Sequence, residues 1–391
     1  MIKLLFLGFL LSSCIGFNTV KRGNYIESPL PEEKIPFEYV NGLIVIDAEI
    51  NGQTGRFLVD NGFTLSAVRP SFAKRANISF DSDTGVRDAN NKKANLSEGT
   101  VDTVKIGQHV FAKTGFYKID TKKFFPCDDL DGVIGASIIN KANWLFRTEN
   151  QNLSIQQVPF HFSGVSVPLK FTGNNSAFID IEVNQIDYHI KVDMGNHTEI
   201  SLRKSMALKS FKGEEFIEHI GISSLSATGL GNVETQYLSM DFHEVKSGDS
   251  SLPAPCRVKL KEKMKYDGYI GMTYLKRMDF VFHPGQKVMI LGQPHGNDSI
   301  VDEGYGLSIY LVDGEFKIIR RIGGDTLTKD VELMDKVVSI NASPIGDFEG
   351  LCAVRSLIKA LKQEKEDLIL ELENGKIRRL PLRPTATIRI K

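Results

Sequence analysis

Phe57-Leu58-Val59-Asp60-Asn61-Gly62-Phe63-Thr64 is a short apolar run ending in Asp-x-Gly, and Ile190-Lys191-Val192-Asp193-Met194-Gly195 repeats the form. An apolar run of this length reads as a buried strand, and the glycine after it lets the backbone turn tightly. Shifting the chain by 133 positions, Asp60 onto Asp193, lays residues 46–62 on 179–195 without a gap. Ile46, Asp47, Glu49, Asn51, Val59, Asp60 and Gly62 then fall on Ile179, Asp180, Glu182, Asn184, Val192, Asp193 and Gly195, 7 identities in 17 positions. Upstream, Ile35-Pro36-Phe37 answers Val167-Pro168-Leu169. Downstream, Asp131-Gly132-Val133-Ile134-Gly135 answers Asp267-Gly268-Tyr269-Ile270-Gly271, 71 residues after Asp60 and 74 after Asp193. Three landmarks in register establish a duplicated unit.

Each copy reads as strand-rich. In the first, residues 35–159, Leu43–Ile50 leads into Asn51-Gly52, a hairpin-turn signal, and Gly55–Val59 returns towards Asp60. Residues 81–100 are polar, with a turn expected at Asp88-Ala89-Asn90-Asn91; a mobile hairpin over a cleft and an ordinary exposed hairpin fit this stretch equally. A short helix is expected over 136–143. The second copy, 160–293, repeats the plan, with the glycine-rich Thr228-Gly229-Leu230-Gly231-Asn232 where the first has its polar hairpin. That segment is no phosphate loop, since no Lys-Ser/Thr pair follows and no βαβ unit surrounds it.

The chain of 391 residues has room for two or three domains, each with its own core. Lys+Arg and Asp+Glu both number 48, so no net field recruits nucleic acid. No HExxH, GxSxG or CxxC pattern is present, which leaves zinc, Ser-hydrolase and dithiol chemistry without support and calls for no cofactor. His189 and His197 flank Asp193 four residues away on either side; their segment reads as strand then turn, so a surface pair is expected and not a metal site.

Residues 1–14 carry Lys3 and then an apolar run from Leu4 to Leu11, too short to span a bilayer. The run ends in Leu11-Ser12-Ser13-Cys14, which resembles the lipobox of bacterial lipoproteins. That resemblance implies cleavage before Cys14, acylation of its thiol, and a membrane-anchored place in the cell envelope, facing the periplasm or the surface. The alternative is an ordinary signal peptide that contains a cysteine. Residues 15–34 read as a tether. With Cys14 lipidated, Cys127, Cys256 and Cys352 remain, and an odd number leaves at least one thiol free. Cys127 and Cys256 both precede the Asp-Gly-x-Ile-Gly elements, and whether they pair is open. Cys352 lies in an apolar helical pattern and reads as a core thiol.

The paired Asp-x-Gly motifs, with Val133-Ile134-Gly135 and Tyr269-Ile270-Gly271 following them, resemble the two lobes of a pepsin/retropepsin-type aspartic protease over residues 35–293. The resemblance implies a mainly β fold of two pseudo-symmetric lobes with a cleft between them. Asp60 and Asp193 would be the catalytic pair of a peptidase, with Asn61, Gly62, Thr64, Met194, Gly195 and Thr198 supporting the active loops. Two carboxylates brought together cannot both ionise cheaply, so the pair holds one shared proton and can activate a water. The chain departs from the family at the middle residue, which is Thr or Ser there and Asn61 and Met194 here. An Asn amide can replace part of the hydroxyl's hydrogen bonding; a thioether cannot donate. An inactive protease fold that serves as a peptide-binding or scaffold module is the rival reading.

After a linker at 294–304, residues 305–391 form a different unit, with strands at Phe316–Ile319, Val337–Ile340, Leu368–Leu372 and Ile377–Leu382 and a helix around Glu349–Gln363. Gly306-Leu307-Ser308-Ile309 and Leu333–Asn341, with Met334 where a Gly is usual, resemble a PDZ domain. The resemblance implies capture of a peptide C-terminus as an added strand; a docking module that binds nothing is the alternative.

Overall fold

A computed structural model describes residues 22–26, 33–87, 93–123, 125–208, 211, 215–222, 225–226, 229–230, 235–242, 244–253, 256–262, 264–296, 303–384 and 388–389. Cys14 with its lipobox, the expected turn at 88–91, Thr228, Gly231 and Asn232 lie outside the described residues. The protein is mainly β.

In the first half, β1 (Ile35–Pro36) lies at a sheet edge and β2 (Leu43–Ile50) pairs with β3 (Gln53–Val59) in an antiparallel hairpin. Asn51 and Gly52 both take positive φ, +48° and +81°, the turn whose twist matches the flanking strands. The chain then passes Asp60, turns back as β4 (Ser66–Val68), and continues through the long hairpin of β5 (Phe80–Arg87) and β6 (Lys93–Ile106) to β7 (His109–Lys118). Next, β8 (Gly132–Ile134) inserts between β3, parallel to it, and β4, antiparallel to it. Gly132 is required there, since a Cβ would overlap the Ala67 carbonyl. The short helix expected over 136–143 is one turn, Ala136–Ile139. β9 (Asn143–Arg147) and β10 (Asn152–Gln156) finish the half.

The second half repeats these pairings. β11 (Val165–Pro168) corresponds to β1, and β12 (Ala177–Val183) pairs with β13 (Ile186–Asp193) across a turn at Asn184 and Gln185, again with both φ positive. β14 (Ile200–Arg203), β15 (Glu215–Gly221), β16 (Thr235–Phe242) and β17 (Cys256–Lys261) follow. β18 (Gly268–Gly271) inserts between β13 and β14 as β8 does between β3 and β4, with Val192 opposite Ile270 where Val59 is opposite Ile134. β19 (Met278–His283) and β20 (Val288–Pro294) end it.

A six-stranded sheet in the order β11-β20-β19-β9-β10-β1 joins the halves, three strands from each. At its centre Leu145 faces Val281, and the Phe146 and Phe280 rings stack 4.6 Å apart. One continuous apolar core therefore runs through both halves. The two short segments Ile35-Pro36 and Val167-Pro168 form its opposite edges, where a proline removes no needed donor.

The C-terminal unit has its own core of β21 (Leu307–Val312), β22 (Glu315–Ile322), β23 (Val337–Ile340), helix α1 (Leu351–Glu364), β24 (Leu368–Leu372) and β25 (Ile377–Leu380). The expected linker is part of this unit at its end, since Glu303–Gly304 pairs with Arg383–Pro384. The unit is fastened to both halves. β22 extends the sheet of the second half by pairing with β15, His219 opposite Ile322. A disulfide between Cys127 and Cys352, Cα atoms 5.2 Å apart, ties the first half to α1. The pairing left open for Cys127 is thus with Cys352 and not with Cys256, which is buried, and the expectation of Cys352 as a core thiol is corrected.

Candidate active site

Because β3 and β13 each end at the join between the halves, their aspartates meet. Asp60 and Asp193 are half-buried with their carboxylates side by side, since a Cβ on Gly62 would lie 2.3 Å from Asp193 Oδ1 and 2.8 Å from Asp60 Oδ1. Asp60 Oδ1 accepts the backbone N–H of Gly62 at 2.7 Å and that of Gly195 at 3.1 Å, one from each half. The glycines fit reciprocally. A Cβ on Gly62 would overlap the Asp193 carboxylate, and a Cβ on Gly195 would overlap that of Asp60. Glycine is needed here because the opposing carboxylate fills the space, whatever the backbone angle.

The residues between Asp and Gly are both buried. The Asn61 side chain crosses to the other half, where its Oδ1 accepts the Met194 N–H at 2.9 Å. Among the described residues its Nδ2 is buried without a partner, and Met194 returns nothing from its side chain. The two active loops are thus bonded in one direction only. Behind them, Ala136 N donates to Phe63 O and Met272 N to Asn196 O, both at 2.8 Å. Ser66 Oγ accepts Gly135 N at 3.0 Å, and Ser137 Oγ accepts Ser66 N at 2.9 Å. Thr198 donates to Asn196 Oδ1 at 2.9 Å and accepts Ser201 Oγ at 3.1 Å, whereas Thr64 makes no side-chain hydrogen bond among the described residues. The serines, which an unremarkable loop sequence hid, do the work expected of Thr64.

Burial first, and then the negative charge of Asp193, push the Asp60 carboxyl up to about 7. Lys191 pulls the other way. Its buried ammonium donates to Gly62 O at 2.6 Å and lies 5.8 Å from the Tyr266 ring centre. The strand pattern gave a signal for it, since Lys191 interrupts an apolar run at the place of Leu58. The pair therefore has the setting in which two carboxyls share a proton at mildly acidic to neutral pH.

Further supports recur in both halves. Arg69 N donates to Asp131 O and Arg203 N to Asp267 O, both at 2.8 Å, and the side chains pair again, Arg69 with Asp131 at 2.8 Å and Arg203 with Asp267 at 3.7 Å. The histidines do not form a pair: His189 is held by Asp180 at 2.7 Å and stacks on Phe178, while His197 lies in the Asp193 loop. Among the described residues no cluster of three His, Cys, Asp or Glu side chains suits a metal ion. Gly306, Leu307, Ser308 and Ile309 lie apart from the aspartates, at the start of β21 in the C-terminal unit. Gly306 has φ +77°, and a Cβ there would come within 2.7 Å of Asp325 Oδ2, so glycine is required. Ser308 Oγ accepts Arg320 Nη2 at 2.8 Å.

Residues 46–138 match the sequence profile of a family described as aspartyl protease, a segment that holds Asp60, Gly62, β8 and Gly135. Among curated proteins, none matches the chain.

Proposed function

We propose that residues 35–293 are two pseudo-symmetric aspartic-protease lobes and that the chain is an endopeptidase using Asp60 and Asp193 as its catalytic pair. The observation that carries this reading is the reciprocal seating of the two carboxylates, each against the other half's glycine. The ionised member of the pair takes a proton from a bound water as that water attacks the scissile carbonyl. The protonated member donates to the carbonyl oxygen, and the collapse of the tetrahedral adduct returns a proton to the leaving amine. The protons belong to the pair, so neither Asp is assigned as acid or base. Incubation with a broad peptide library between acidic and neutral pH should give cleavage, and Asp60→Asn or Asp193→Asn should each abolish it. Peptide binding that survives both substitutions, with nothing cut by the parent protein, would leave a scaffold.

The C-terminal unit we read as PDZ-like, with a peptide-docking or regulatory groove between β21 and α1. Its support is the order of its elements, the positive φ of Gly306, and the strand β21, which pairs with β22 alone among the described residues and carries Tyr310 under Arg355 of α1, 5.3 Å from the ring centre. From the lipobox resemblance we read the chain as a lipid-anchored envelope protein, and a disulfide such as Cys127–Cys352 is compatible with that compartment. Cys14→Ala should move it from the membrane to the soluble fraction, and retention in the membrane would remove the anchor from this account.

A further inference from the structure

The strands that flank the two active loops differ in chemistry. In the first half, β7 runs parallel to β4 with Tyr117 opposite Ala67, and Ile119 N donates to Val68 O at 3.0 Å. Tyr117 and Ile119 are buried, and Tyr117 meets the ring of Phe63, next to the active loop, at 6.3 Å. In the second half, β17 runs parallel to β14 with Lys259 opposite Ser201 and Lys261 opposite Arg203. The positions of Tyr117 and Ile119 are thus filled by Lys259 and Lys261. Cys256, Val258 and Leu260 alternate into the core, which leaves Arg257, Lys259 and Lys261 together on the other face.

Lys261 has no carboxylate bonded to it among the described residues; Glu262 pairs with Lys204, and Asp267 with Arg203. Burial, Lys259 and Arg320 push its ammonium down to about 8, and the opposing negative charge is that of Asp193. A half-buried cation without a bonded anion is unfavourable on its own and is matched when a ligand supplies the negative charge. Lys191 is not equivalent, since its ammonium is already bonded to Gly62 O at 2.6 Å.

We propose that β17 makes a cationic wall on the Asp193 side of the cleft, where Lys261, with Lys259 beside it, binds an acidic side chain of the peptide. The Asp60 side, where the half-buried Phe63 packs on Tyr117, takes an apolar residue. This specificity rests on the peptidase reading for the position of the cut, but not for the binding itself. A test uses fluorogenic peptides of one sequence in which Glu replaces Gln at one position at a time on both sides of the cleaved bond. Glu on one side only should raise kcat/KM roughly tenfold, as a charge-assisted contact of this kind does. Lys261→Gln should bring the Glu/Gln ratio close to one, Lys261→Arg should keep it, and Lys329→Gln, an exposed lysine of the C-terminal unit, should leave it unchanged. The same peptides titrated into Asp60→Asn report the ratio as Kd with no cleavage required. A Glu preference in binding without cleavage by the parent protein sinks the peptidase reading and keeps the cationic wall. Absence of a preference at every position, or one that survives Lys261→Gln, overturns the wall. So does an equal loss for both peptides, which would make Lys261 a group that acts on the aspartates and not on the substrate.

Discussion

The halves around Asp60 and Asp193 share a backbone plan and differ in the side chains hung on it. Their inserted strands, glycines and Arg–Asp supports correspond position by position. Yet Leu58 corresponds to Lys191, Tyr117 to Lys259, Ile119 to Lys261, and Asn61 to Met194. What is common to the halves is what the geometry of two meeting carboxylates demands. What differs is charge: the first half is apolar around its aspartate and the second is cationic. A duplicated frame has thus kept its construction and divided its chemistry.

The shared part is best broken at the glycines. Gly62→Ala and Gly195→Ala should each lower kcat/KM on the order of a hundredfold or more, because a methyl must displace the opposite carboxylate by about 1 Å. Equal losses would show that both seats matter to the reaction. A silent Gly195→Ala would show that only the Asp60 seat is tight, and the correspondence of the halves would then be one of ancestry alone.

The unequal part begins with Asn61 and Met194. Asn61→Ala leaves the buried Met194 N–H without an acceptor and should cost about 1–3 kcal/mol in denaturant unfolding. Met194→Leu keeps that backbone bond and should be nearly neutral. Met194→Thr puts back an oxygen on the side that lacks one. A large gain in cleavage from a measurable baseline would mark the parent site as working but loosened, and no cleavage in either form would favour the scaffold.

How far these features could be read without coordinates follows from their range. The Asp-x-Gly echo, the Asn51-Gly52 turn and the edge segments at Pro36 and Pro168 are local patterns, and local patterns survive in a sequence. Ser66 and Ser137 are 71 positions apart and look like any loop serines; only the fold puts one hydroxyl against the other at 3.0 Å. The Cys127–Cys352 bond spans 225 residues, and nothing in the spacing of three cysteines selects it. The joining of β15 to β22 across units is likewise a matter of which edge was left open. Lys191 stood between these cases. A lysine in a buried strand is a visible anomaly, but its partner, a carbonyl 129 positions away, is not.

That lysine provides the finest test of the charge difference. Lys191 lowers the proton affinity of Asp60, against burial and Asp193, which raise it. Lys191→Gln retains a donor for Gly62 O and removes the charge, so the proton affinity of the pair should rise. Activity requires one proton on the pair, and both the acid and the alkaline limbs of kcat/KM should therefore move to higher pH. Stability gives an independent reading with its own sign. A carboxyl whose folded value lies above its unfolded one contributes stability that is complete below the unfolded value and is lost as pH rises through the folded value, here from about 3.8 towards about 7. In Lys191→Gln the loss should still begin near the unfolded value, about 3.8, but continue to higher pH, so a plot of unfolding free energy against pH should keep falling further into the neutral range before it levels. A bell that moves to lower pH, or does not move, would mean that Lys191 holds the Gly62 loop and leaves the proton of the pair to burial and Asp193.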